Sequence, residues 1–215
     1  MRVFRDENAD FGLIRARRIA IVGYGNQGHA HALNLRDSGV EEVAVALPEA
    51  SASRAKAEQA GFLLMSVEQA AGWADIVTLA VPDELQAEIY AASLHEQLRE
   101  GAALVFAHGL NIHFGLIEPR ADLDVLLVAP KGPGSALRAD YLAGKGMITL
   151  IGVGRDASGR AHDLALAYAA GLGSGRAGII ESSFRQETEA DLFNEQTVLW
   201  GVIPDLIEAG YETLV

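Results

Sequence analysis

The chain contains no cysteine. Disulfides and thiolate metal sites are therefore excluded, and any metal must rest on oxygen or imidazole ligands. Nor does it contain an apolar run approaching the roughly 18 residues of a membrane span. Residues 1–12 are mostly polar and lack the apolar stretch of a signal peptide, so a cytoplasmic protein is expected. Basic residues are also scarce: 17 Lys and Arg stand against 29 Asp and Glu, for a net charge of -12. That balance argues against a nucleic-acid surface, which needs clustered cations. It does not by itself argue for bound cations, because an acidic excess commonly serves solubility. Repeats and low-complexity segments are missing as well.

What is present suits one good core, or one domain with part of another: 215 residues, 50% hydrophobic and 21% charged. Short apolar runs at 18–23, 43–47, 75–81, 102–107, 124–129 and 147–153 alternate with helical patterns, among them 27–37, 53–60, 84–100 and 161–170. Several runs are apolar almost throughout, as parallel strands covered on both faces are. The expected fold is α/β, a doubly wound parallel sheet of the Rossmann kind over residues 1–182. Beyond residue 183 the pattern offers no strand, only helical segments at 186–200 and 204–215 separated by Gly201. Pro204 followed by Asp205 reads as a helix start, and Thr213-Leu214-Val215 ends without a cap. Residues 183–215 are thus expected to be the first helices of an incomplete all-α domain.

Gly23-Tyr24-Gly25-Asn26-Gln27-Gly28 places G-x-G-x-x-G between the first of these strands and a helix. The first glycine permits the tight turn, the second lets backbone approach a pyrophosphate, and the third allows helix to pack on strand; the helix N-terminus favours the negative charge. This context points to a bound dinucleotide rather than a bare glycine-rich turn. At the end of the second strand, Glu49 suits the 2'-hydroxyl of NAD, whereas Ser51, Ser53 and Arg54 suit the 2'-phosphate of NADP. Ser53 could equally cap a helix. The choice of cofactor stays open on these residues.

Three further features carry chemistry. His108 closes a strand at the end where ligands of open α/β sheets collect, and a histidine there can shuttle protons near neutrality. A strand-end histidine in a structural hydrogen bond is the plain alternative. Lys131 follows the next strand beside Gly132 and Gly134, where a surface lysine is the plain alternative. Glu187, Asp191 and Glu195 recur every four residues, hence on one helical face, where like charges repel. Spacing alone favours a solvated acidic face. His29 and His31 read as packing or helix-start contacts.

The run Gly23-Tyr24-Gly25-Asn26-Gln27-Gly28-His29-Ala30-His31-Ala32-Leu33-Asn34-Leu35 closely resembles the GYGSQGHAHALNL signature of ketol-acid reductoisomerases (acetohydroxyacid isomeroreductases), with Asn26 where serine is usual. Four more stretches resemble the family in its own order. They are Pro82-Asp83-Glu84-Leu85-Gln86, Phe106-Ala107-His108-Gly109-Leu110-Asn111-Ile112-His113-Phe114, Ala129-Pro130-Lys131-Gly132-Pro133-Gly134 and Glu187-Thr188-Glu189-Ala190-Asp191-Leu192-Phe193-Asn194-Glu195-Gln196. The likeness spans essentially the whole chain and is to the short-form class. It implies a magnesium-dependent alkyl migration followed by hydride transfer from NADPH. The substrates would be 2-hydroxy-3-keto acids, 2-acetolactate and 2-aceto-2-hydroxybutyrate, converted to 2,3-dihydroxy acids in valine, isoleucine and leucine synthesis. It further implies a helical, knotted C-terminal domain continuing past Val215. The apolar residues of the last two helical segments, among them Leu192, Phe193, Leu199, Trp200, Leu206 and Ile207, are expected to seek a partner, so a homo-oligomer is expected; charge and hydropathy point to no nucleic-acid or membrane partner.

By the same resemblance Tyr24, Gly25, Asn26, Gln27, Ser51, Ser53, Asp83, Glu84, Leu85, Gln86 and Gly134 match the family's cofactor contacts. His108 and Lys131 match catalytic residues, and Asp191 and Glu195 match two Mg2+ ligands. The chemistry fits these residues: a ketol rearrangement needs its hydroxyl deprotonated and its carbonyl polarised, and a hard divalent cation on carboxylates does both. The sequence departs from the family at Pro48, where many members carry an arginine for the 2'-phosphate, so NADH becomes possible. Trp200 and residues 202–205 also depart from it and receive no function. Two competing readings are another NAD(P)-dependent dehydrogenase using His108 or Lys131 as acid, and a cofactor-binding module without turnover.

Overall fold

The computed structural model describes residues 2–215. Its strands are β1 (Val3–Phe4), β2 (Arg18–Val22), β3 (Glu42–Ala46), β4 (Leu63–Met65), β5 (Ile76–Leu79), β6 (Ala103–Phe106), β7 (Asp124–Pro130), β8 (Thr149–Arg155) and β9 (Ile179–Glu181). They form one sheet in the order β1-β9-β8-β7-β6-β5-β2-β3-β4. From β4 across to β7 every pairing is parallel, which gives the Rossmann-like arrangement with β2 at its centre. The sheet as a whole is mixed, because β8 runs antiparallel to β7 and β1 antiparallel to β9. An apolar run reports burial but not strand direction, and β1, β4 and β9 are too short to show a run at all.

Alternate residues of the central strands supply two cores, one on each face. Ile19, Ile21, Ile76, Val105, Leu126 and Val128 pack with Leu35, Leu164 and Tyr168 from helices Asn26–Asp37 and Ala161–Gly171. Ala20, Val22, Val77, Leu79, Leu104, Phe106 and Leu127 face the other way, against Ala70, Ala71, Tyr90 and Leu94. A buried polar chain crosses the first core: His31 Nδ1 lies 3.2 Å from the Tyr168 hydroxyl, which lies 2.8 Å from Thr78 Oγ1. The sheet's double covering explains why its strands read as unbroken apolar runs.

Two helical expectations change. The stretch expected at 84–100 is α-helical over Asp83–Ile89 and then widens into a π turn at Tyr90–Leu94. The two segments expected after residue 183 are one continuous rod: α over Phe184–Phe193, π over Asn194–Val202, and α again over Ile203–Leu214. Pro204 cannot donate to an α-helical ladder, and the widened register ahead of it lets the rod pass Gly201 and Pro204 without a break. Nothing in its π and second α sections is buried. No helix among the described residues is long and apolar enough to cross a membrane.

Candidate active site

At the end of β2 the chain turns through Gly23, whose φ of +99° lies in the left-handed region. A Cβ there would also press on the Ala80 carbonyl oxygen at 2.8 Å. One at Gly28 would overlap the carbonyl oxygen of Gly23, whereas one at Gly25 would meet nothing within 4 Å. The outer glycines thus serve the turn and the packing, and Gly25 leaves space above the helix end. That end carries no side-chain cap, so its amides are open to an anion.

The loop is fastened from the far side of the cleft. Gln27 Nε2 donates to the Gly132 carbonyl at 2.9 Å, and Asn26 Oδ1 accepts from the Ser135 amide at 2.9 Å. Gly134 packs directly on the Asn26 and Gln27 backbone, so it shapes the loop from behind. Gln27 Oε1 is buried without a partner. An orphan acceptor, an uncapped helix end and the gap over Gly25 together fit a dinucleotide. Tyr24 is buried edge-on against Phe62.

Ser51 and Ser53 flank the turn after β3: Ser51 Oγ accepts from the Ser53 amide at 3.3 Å, and Ser53 stands at the cap position without a side-chain cap bond. The Arg54 guanidinium is held on the Leu47 carbonyl at 3.1 Å, and Pro48 and Glu49 are exposed. After β5, Asp83, Glu84, Leu85 and Gln86 form the first turn of a helix. Gln86 is buried and holds the Val81 carbonyl and Asp83 Oδ1, both at 3.0 Å, while Glu84 and Leu85 are exposed outside the cleft.

The ends of β6 and β7 present His108 and Lys131 to helix Phe184–Phe193. Ser183 caps that helix through the Gln186 amide at 3.1 Å, and Phe184 packs on Phe106, which drives the first helical turn into the sheet. Glu187 is buried as a result, its side chain 1% exposed. Its carboxylate accepts from the Gly109 amide at 2.8 Å and from Lys131 Nζ at 2.6 Å, and lies 3.0 Å from His108 Nδ1. Lys131 Nζ also donates to Asp191 Oδ1 at 2.7 Å, and Asp83 Oδ2 lies 4.0 Å from His108 Nε2.

These groups tune one another. Burial opposes protonation of His108, but the Glu187 hydrogen bond and charge, with Asp83 and Asp191, outweigh it and raise the pKa above the ordinary imidazole value. Burial likewise opposes the Lys131 ammonium, yet Asp191 and Glu187 raise its pKa too. For Glu187 desolvation pushes upward, and the His108 and Lys131 bonds prevail to lower it. Asp83 is raised, chiefly by burial. Cations and anions thus hold each other charged.

Ligand atoms of His108, Glu187 and Asp191 lie within 4.8 Å of one another, close enough to share a metal ion. The cluster's carboxylate oxygens fit a hard divalent cation, whereas His108 Nδ1 is engaged by Glu187. Glu195 lines the same cleft but lies outside this cluster. Glu187 was visible in the sequence only as a third member of the acidic row; its burial comes from Phe184 and Gly109, which spacing does not reveal. The cleft, of about 680 Å³, runs from Gln27 past His108 and Lys131 to Trp200.

Residues 13–178 match the family model described as the NADPH-binding domain of acetohydroxy acid isomeroreductase. The chain belongs to the ketol-acid reductoisomerase family. Residues 184–215 match the ketol-acid reductoisomerase C-terminal domain model. Among solved structures, an NADH-preferring ketol-acid reductoisomerase from an uncultured archean is 41% identical with a TM-score of 0.95. The match covers 100% of this chain and 66% of that one, so the chain spans about two-thirds of that reductoisomerase's length. A semialdehyde dehydrogenase NAD-binding protein from Cupriavidus necator is 23% identical with a TM-score of 0.78, covering 92% of this chain and 74% of that one. Pyrroline carboxylate reductase from Plasmodium falciparum is 16% identical with a TM-score of 0.62, covering 93% and 71%. These last two share the fold.

Proposed function

We propose that this reductoisomerase chain binds a nicotinamide dinucleotide along residues 23–28 and presents it to a 2-hydroxy-3-keto acid held near His108 and Lys131. The observation that carries this reading is that the uncapped helix end and the Glu187–Lys131–Asp191–His108 cluster open into one cleft. The Lys131 ammonium, kept charged by its carboxylates, donates to a substrate oxygen. His108, oriented through Nδ1 by Glu187, moves a proton at Nε2. Asp191 and Glu195 would hold Mg2+, which when bound supplies Lewis-acid polarisation of the ketol oxygens. The substrates we assign are 2-acetolactate and 2-aceto-2-hydroxybutyrate.

For the cofactor we propose a weak preference for NADPH. The loss of an arginine at Pro48 removes one charge-assisted bond of about 1.5–3 kcal/mol, leaving a preference below about 100-fold. Ser51, Ser53 and Arg54 support NADPH; the exposed Glu49, and the likeness to an NADH-preferring archaeal reductoisomerase, pull the other way.

The test is a steady-state assay with acetolactate, Mg2+ and either cofactor, run on this chain and on one extended to the length of the archaeal relative. We expect cofactor binding by both and turnover by the extended chain alone. An extended chain that folds, binds cofactor and leaves acetolactate untouched would overturn the assignment.

A further inference from the structure

Two of the three groups near enough to share a metal ion are already joined by a cation of the chain's own. Lys131 Nζ sits 2.6 Å from Glu187 Oε1 and 2.7 Å from Asp191 Oδ1. The backbone beneath it is fixed, since the Lys131 amide donates to the Ile148 carbonyl at 2.9 Å. The two carboxylates differ sharply in setting. Glu187 is buried and has the Gly109 amide and His108 as further partners, whereas Asp191 is 28% exposed and faces the cleft. A divalent ion and an ammonium cannot share one Asp191 carboxylate a few ångströms apart without strong repulsion.

On the metal reading proposed above, we infer that Lys131 is an internal placeholder for the divalent ion. The entering ion takes Asp191 from the ammonium, which keeps its bond to Glu187. One Lys131 N–H is thereby freed toward the cleft, so metal entry arms the donor that meets the substrate. In the absence of metal the lysine relieves the repulsion of the acidic row.

The experiment measures Mn2+ affinity by electron paramagnetic resonance on wild type, Lys131→Gln and Asp191→Asn. We expect Lys131→Gln to bind Mn2+ at least about tenfold more tightly than wild type, since a like charge has left the seat, and Asp191→Asn to bind far more weakly. A cooperatively folded Lys131→Gln that binds no more tightly overturns the placeholder role, while Asp191-dependent binding leaves the metal reading standing. Absence of Asp191-dependent binding in every variant ends the metal reading and this inference together. Should Lys131→Gln not fold, wild type carrying 13C-labelled lysine decides by NMR, because the chain has only three lysines, Lys56, Lys131 and Lys145. The Lys131 resonance is expected to move as Mg2+ saturates the protein. A resonance unmoved at saturation overturns the inference.

Discussion

The backbone of Gly134 rests against that of Asn26 so closely that a Cβ at 134 would overlap the Asn26 carbonyl oxygen. Helix Gly134–Leu142 and helix Asn26–Asp37 therefore meet as bare backbone, fastened by the Ser135 amide on Asn26 Oδ1. Gly134→Ala must push the dinucleotide loop aside. We expect a loss of about 1–3 kcal/mol in urea denaturation, typical of overpacking, with a clear weakening of NADPH binding. Wild-type values for both would show that the helix pair yields without moving the loop.

Gly25 offers the opposite case. Its φ of -81° suits any residue and its Cβ direction is empty. Gly25→Val should keep stability within about 0.5 kcal/mol yet abolish NADPH binding, because the side chain fills the pyrophosphate's space. Calorimetric titration checks this; retained affinity would remove the dinucleotide assignment from the loop.

His31 predicts a pH dependence of stability. Burial, aided by the charge of His29, lowers its pKa from 6.5 to about 4. Below pH 6.5 the unfolded chain takes up a proton that the folded chain refuses until about pH 4, so stability is complete above pH 6.5 and drains away as pH falls between those values. The share due to this ring is about 3 kcal/mol at most. Denaturation midpoints from pH 7.5 to 4.5 should fall more steeply in wild type than in His31→Gln. Parallel slopes would mean that the ring is protonated inside the fold.

Glu187→Gln tests the anchor of the site. With the carboxylate gone, the strongest support for the His108 imidazolium disappears, so its pKa should fall from the raised value in wild type. Proton NMR titration of the ring in chelator-treated buffer follows it directly. An unshifted midpoint would mean that Asp83 and Asp191 alone hold the proton.

The central sheet was legible because strands such as Ile76–Leu79 and Ala103–Phe106 are buried on both faces and show it as continuous apolar runs. Val3–Phe4 and Ile179–Glu181 pair at the margin with too few residues to leave a pattern, and the reversed direction of Thr149–Arg155 has no compositional mark. Gly201 and Pro204 suggested a break that a change of helical register absorbs. In the site, His108, Lys131 and Asp191 were each named by the sequence and stand together. Glu187 was not singled out, since an acid in a row of acids looks solvated until Phe184 and Gly109 are seen to enclose it.

The unbroken rod from Phe184 to Leu214 has a mechanical meaning. Ten α, nine π and twelve α residues follow one another, roughly 45 Å at about 1.5 Å per residue. Its root is clamped where Glu187 meets the Gly109 amide, and its outer half, with Leu206, Ile207 and Tyr211, stands clear of the sheet. Such an arm converts a few degrees of rotation at the root into several ångströms at the tip.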